Sequence, residues 1–209
     1  MRPSLIVLHY TAMVSCEAAF DRLCDPAAEV SAHYLISESG VVSALVPETM
    51  RAWHAGAGCW RGHDDINSKS IGIELANTGT TPFAAAQIRA LEILLAGVMA
   101  RWAIAPDCVI AHSDMAPGRK SDPGPRFDWR RLALGGLAVW PLAAKLGPTS
   151  DFIANARRFG YPELPDNLVL EAFRLRFRPW ARGALDEVDA GLIADLAQRF
   201  GVDENRALA

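Results

Sequence analysis

The sequence predicts an α/β fold of mixed α+β character, with a central mixed β-sheet flanked by helices and a small three-helix domain at the C-terminal end. Three observations carry this reading. Short β-rich runs (SLIVLH, SIGIEL and CVIAH) alternate with segments of helical period. Two further β-rich runs flank the turn Ser-Glu-Ser-Gly, as in a hairpin. Beyond a Gly/Pro-bearing stretch, three short helical patterns follow, two of them with apolar stripes at helical spacing.

Taken in order, SLIVLH reads as a buried first strand, and Ser15 is placed to cap a helix running to about Cys24. HYLISESGVVSALV is the hairpin. Residues 51–69 (RAWHAGAGCWRGHDDINSK) are rich in Gly, with two Trp and two His, and form a long loop of the kind that usually carries function. SIGIEL follows as a strand. TPFAAAQIRALEILLAGVMARW is the clearest helix: Thr80 or Thr81 caps it, Pro82 occupies its first turn, and Ile88, Leu91, Leu95, Val98 and Trp102 share a face. CVIAH is another strand, and FDWRRLA begins a helix. A linker covers residues 135–149. SDFIANARRFG (with Gly160 as C-cap), NLVLEAFRLRF and DAGLIADLAQRF complete the chain, the last two with stripes Val169/Phe173/Phe177 and Leu192/Leu196/Phe200. The expected division is a catalytic domain over residues 1–140 and a helical domain over 150–209.

Bulk properties narrow the function. A chain of 209 residues holds one good core and a small module. With 51% hydrophobic and 22% charged residues it is of ordinary globular composition, and a formal charge of −3 gives no field to attract nucleic acid or anionic membrane. No apolar run is long enough to span a bilayer. The N-terminal MRPSLIVLHYTAM reads as a strand rather than a secretion signal, so the expected compartment is the cytoplasm. Cys16, Cys24, Cys59 and Cys108 form no CxxC pair and read as incidental thiols.

The chemistry is concentrated in polar residues at strand ends. Leu5, Val7 and His9 share one face of the first strand, so His9 ends a buried strand at the sheet's rim, and His112 does the same after CVIA. The turn at Pro117-Gly118 brings Asp122 back towards them, stiffened by Pro123. In an extended GRKSDP, Lys120 and Asp122 face the same way. His9, His112 and Asp122 with an open fourth position make a catalytic zinc pattern, although two histidines so far apart in sequence also read as satisfied or surface side chains. Within SIGIEL, Ile71, Ile73 and Leu75 face one side, and Gly72 and Glu74 the other. A carboxylate there is either solvent-facing, ion-paired, or a general base beside a metal.

Five stretches in this order, IVLHYTA, SAHYLISESGVV, RAWHAG, NSKSIGIELAN and HSDMAPGRKSDPGPRFDW, closely resemble the zinc-dependent N-acetylmuramoyl-L-alanine amidases of the type 2 class. That group includes the anhydromuramoyl-peptide amidases of cell-wall recycling and is related to phage amidase lysozymes and peptidoglycan recognition proteins. The resemblance covers about residues 4–132. It implies one Zn²⁺ per chain on His9, His112 and Asp122, with Glu74 and Lys120 as the catalytic pair. It implies a muropeptide or peptidoglycan substrate, cut at the amide between the lactyl group of N-acetylmuramic acid and L-alanine.

Further residues are candidates for substrate contact. His33 falls where some relatives carry a tyrosine near the metal, with a packed strand histidine as the alternative. His54 lines the pocket from its loop. Asn67 and Arg119 suit an amide or carboxylate, Arg119 in bidentate fashion. Trp53 and Trp60 suit stacking on sugar or anchoring of the loop, and His63 is not needed as a ligand. The C-terminal helices are similar to a small peptidoglycan-binding module, or serve as a docking or structural tail. Three rival functions compete: a recognition protein that binds muropeptide without cutting it, a lytic amidase acting on intact wall, and a structural protein.

Overall fold

The computed structural model describes residues 1–142 and 145–202. Five strands form one mixed sheet in the order β3-β2-β4-β1-β5. The strands are β1 (Leu5–Tyr10), β2 (Tyr34–Ile36), β3 (Val42–Ala44), β4 (Ser70–Leu75) and β5 (Val109–Ala111). β2, β4, β1 and β5 run parallel, and β3 joins the edge antiparallel through the expected hairpin. The helices are α1 (Cys16–Cys24), α2 (Ala85–Trp102), α3 (His112–Met115), α4 (Trp129–Leu134), α5 (Phe152–Phe159), α6 (Asp166–Phe177) and α7 (Glu187–Phe200).

β1 is apolar on both faces up to His9, and Ile71, Ile73 and Leu75 make one face of β4 apolar, because the sheet is covered on both sides. Ile6, Leu8, Ile71 and Ile73 pack on one side against Ile88, Leu91, Leu95 and Val98 of α2. Leu5, Val7 and Ile110 pack on the other side in one cluster with Phe152 and Phe159 of α5, Phe173 and Phe177 of α6, and Ile193 and Leu196 of α7. The C-terminal helices therefore share the sheet's core. Charged groups reinforce the contact: Arg176 of α6 donates from Nη1 to Asp114 Oδ2 at 2.5 Å and from Nη2 to the Val109 carbonyl at 3.1 Å. Tyr161 donates to Asp114 Oδ1 at 2.8 Å. Both ends of the Arg176–Asp114 pair are fully buried.

Ser15 caps α1 by accepting from Ala18 N, Asp128 caps α4, and Gly160 ends α5 at φ 146°. The α2 cap differs from expectation. The helix starts at Ala85 with Ala84 as N-cap and no side-chain cap bond. Thr80–Phe83 stay outside it because Asn77 Nδ2 reaches the carbonyls of Thr81 and Pro82 and Phe83 packs against Phe127. β5 is also shorter than CVIAH suggests, since His112 begins the single turn of α3. Residues 143–144 of the linker and 203–209 of the last segment lie outside the described residues. Among the described residues, no helix is long and apolar enough to cross a membrane, and none of the four cysteines is bridged.

Candidate metal centre

The parallel register sets His9 of β1 beside Glu74 of β4, with Leu35 of β2 next in line. β5 flanks β1 on its other side, so His112 emerges close to His9 at the carboxyl ends of the strands, where open α/β sheets hold their ligands. The segment after α3 turns at Gly118 (φ 74°) and returns Asp122 to the same spot. His9 Nδ1, His112 Nδ1 and Asp122 Oδ2 then stand 2.9 Å from one another. All three residues are buried, and they form a metal-type cluster.

Proton positions show why this trio suits a cation. The Ser70 hydroxyl lies 2.7 Å from the Ile66 carbonyl, which only accepts, so the hydroxyl hydrogen is spent there. Ser70 Oγ then accepts from His54 Nε2 at 3.2 Å. His54 Nδ1 is left bare and accepts from His9 Nε2 at 3.0 Å, leaving His9 Nδ1 bare in turn. His112 Nε2 is 2.9 Å from the Ala55 carbonyl and must donate to it, so its Nδ1 is bare too. Two imidazole lone pairs and a carboxylate oxygen thus face one point with no proton among them. A divalent cation relieves that repulsion, and a His₂Asp set of N and O donors suits zinc. Burial, with the neighbouring His112, pushes His9 down to about 4, so its ring stays neutral.

Glu74 is half-buried, and its Oε2 has no hydrogen-bond partner among the described residues. Burial and then the Asp122 charge push its carboxyl up to about 8, against the pull of Lys120. Glu74, Lys120 and Arg119 line, with all three candidate ligands, one cavity of about 410 Å³ bordered by Trp53 and His54. A carboxyl tuned towards neutrality and an ammonium facing the same space can move a proton and steady a developing negative charge.

Other expected contacts fall elsewhere. His33 is fully buried, accepts from Gly72 N of β4 at Nδ1 and reaches the Met50 carbonyl with Nε2, so both ring nitrogens are committed to backbone. Asn67 is buried with Oδ1 accepting from both His54 N and Ala55 N, which leaves it out of the cavity. Arg119 reaches the cavity but donates from Nη2 to the carbonyls of Ala55 and Ala57. Trp60 is a core anchor edge-on to Phe159 and Tyr161, whereas Trp53 stays 58% exposed under the Arg51 guanidinium. His63 pairs with Lys69 Nζ, away from the centre. Two contributors escaped sequence reading, Ser70 and Gly72. Strand alternation places both on Glu74's side of β4, and a Cβ on Gly72 would overlap the His54 ring.

Residues 1–125 match the family model described as N-acetylmuramoyl-L-alanine amidase. The chain belongs to this family. It is 35% identical to N-acetylmuramoyl-L-alanine amidase AmiD of Escherichia coli over 97% of its own length and 85% of the relative's. It is 38% identical to 1,6-anhydro-N-acetylmuramyl-L-alanine amidase AmpD of Enterobacter cloacae, over 63% of this chain and 79% of that one. The crystal structure of AmpDh3 from Pseudomonas aeruginosa in complex with anhydromuramic pentapeptide superposes with a TM-score of 0.88 at 33% identity, covering 97% of this chain and 94% of that one. At 97% coverage the match to AmpDh3 takes in α5–α7, so the helices behind the sheet belong to the shared fold.

Proposed function

We propose that this chain is a zinc-dependent amidase that hydrolyses the bond between N-acetylmuramic acid, in its 1,6-anhydro form, and the L-alanine of the stem peptide. One observation carries the reading. Three unprotonated donors converge beside a carboxyl and an ammonium in one cavity. A recognition protein that only binds has no use for this proton-transfer pair. The relatives' names supply the substrate class, and the muropeptide held by AmpDh3 supplies the anhydro form.

His9 Nδ1, His112 Nδ1 and Asp122 Oδ2 are the atoms that hold the ion. When bound, zinc supplies Lewis acidity, which polarises a carbonyl and brings the pKa of water down to about 7. Glu74 takes the proton from the attacking water and returns it to the departing alanine nitrogen. Lys120 faces the negative charge that grows on the former carbonyl oxygen. Arg119, already engaged with the loop, forms the wall nearest His112. Helices α5–α7 serve the same unit by covering the sheet face beneath the centre.

Product analysis tests the proposal. Anhydromuropeptide incubated with the zinc-loaded protein should yield free stem peptide and anhydro-N-acetylmuramic acid, and a chelator should stop the release. Intact sacculi should yield much less. Binding without cleavage at full zinc occupancy would overturn the enzymatic reading.

A further inference from the structure

Both candidate imidazole ligands lean on the same two residues. His54 offers Nδ1 to His9 Nε2 at 3.0 Å, and the next residue offers its carbonyl, Ala55 O, to His112 Nε2 at 2.9 Å. This dipeptide is itself pinned. Asn67 Oδ1 accepts from His54 N at 3.0 Å and from Ala55 N at 2.9 Å. Arg119 Nη2 donates to the Ala55 carbonyl at 2.7 Å. The His54 ring fits against Gly72, the position of β4 where a side chain would displace it, and Ser70 Oγ holds its far nitrogen.

We infer that His54 is a positioning residue: it fixes which nitrogen of His9 carries the proton, and so sets the protein's affinity for the metal. The inference rests on the zinc reading above. Its physical basis is a competition for one hydrogen. Asp122 Oδ2, 2.9 Å from His9 Nδ1, draws the imidazole hydrogen to Nδ1, the tautomer that blocks the ligand position. The bare Nδ1 of His54 draws the same hydrogen to Nε2, the tautomer that frees it. Reversing the relay would require Ser70 to turn its hydroxyl towards His54 and give up its 2.7 Å bond to the buried Ile66 carbonyl, which would keep only the Lys69 N–H at 3.0 Å; each such bond is worth about 1 kcal/mol. The relay therefore favours the metal-ready tautomer with no change in the net charge of the site. His112 needs no such device, because the Ala55 carbonyl, which can only accept, is its nearer outer neighbour at 2.9 Å, with Arg119 Nη2 farther off at 3.4 Å. Outer partners of metal-bound histidines typically change metal affinity about 10–100-fold.

The test uses the full chain, its zinc affinity measured by competition with a chromogenic chelator. His54→Leu keeps the bulk and removes the acceptor. His54→Asn keeps an acceptor near the place of Nδ1. We expect zinc affinity to fall about 10–100-fold in His54→Leu and to be largely restored in His54→Asn. The visible spectrum of the cobalt-substituted protein should change in the first variant and return towards wild type in the second. Should His54→Leu fail to fold, Ser70→Ala, which removes the anchor of the relay, should weaken zinc binding in the same direction. Equal zinc affinity in wild type and His54→Leu, or equal loss in the Leu and Asn variants, overturns the inference while leaving the zinc reading intact. Absence of zinc binding in the wild type overturns the zinc reading, and the inference with it.

Discussion

Replacing Arg176 by Met should cost this protein a large part of its stability. The guanidinium holds Asp114 Oδ2 at 2.5 Å, donates to the Val109 carbonyl at 3.1 Å and lies 4.2 Å from the centre of the Trp129 ring. Met refills much of the apolar volume but leaves a buried carboxylate with only Tyr161 OH and Ala111 N as donors. Removing one member of a buried ion pair costs about 3–5 kcal/mol, which is about a fifth or more of a typical domain's roughly 5–15 kcal/mol. For a chain of this size each kcal/mol moves Tm by about 2–4 °C, so the expected fall is roughly 6–20 °C. Circular dichroism melts and urea titrations of the chelated protein measure it. The double variant Arg176→Met/Asp114→Asn, which no longer buries an unpaired charge, should recover at least about 1 kcal/mol. A single variant within about 0.5 kcal/mol of wild type, or a double variant no better than the single, would refute the assignment of this pair as the clamp between α6 and α3.

Exchange of Glu74 for Ala should leave zinc content unchanged and abolish turnover, whereas His9→Ala should lose both; metal analysis beside product release separates the two. Lys120→Ala should lower kcat about 10²–10³-fold with zinc still bound, the scale of losing one oxyanion donor, and single-turnover kinetics read it. In the metal-free protein the Glu74 carboxyl is raised from 4.5 to about 8, so the folded state holds its proton more tightly than the unfolded chain. Its contribution to stability is then complete below about 4.5 and is lost as pH climbs through about 8; Glu74→Gln should flatten that slope in urea titrations run across this range. Gly72→Ala should weaken zinc binding by displacing the His54 ring, which the same chelator competition detects.

The reach of sequence reading followed the range of the interactions. Strand alternation placed His9 at the rim of its strand and Glu74 on the face opposite Ile71, Ile73 and Leu75, and the parallel register sets the two side by side. The helical stripes of α2 and α6 are buried much as their spacing requires, whereas the buried face of α7 centres on Ile193, Leu196 and Ala197, with Leu192 and Phe200 only partly buried beside it. What local pattern missed was the use made of each polar group. His33 and Asn67 look like ligand contacts by residue type, but His33 commits both ring nitrogens, and Asn67 its Oδ1, to backbone inside the fold. Trp60 offered stacking or anchoring with equal plausibility until Phe159 and Tyr161 were seen edge-on to it. The Asp114–Arg176 pair spans 62 residues, beyond any periodicity, and the α2 cap was lost to a side-chain bond from Asn77 that competes for the preceding turn.

The placement of Arg176 and Tyr161 also bears on the order in which the enzyme comes into being. A ribosome releases His9, His112 and Asp122 well before the helix that steadies the turn carrying His112. Until Tyr161 and then α6 emerge and dock, Asp114 lacks its two long-range anchors, and the turn carrying His112 lacks its backing. A nascent chain is therefore expected to hold this corner loosely until the distal helices complete it.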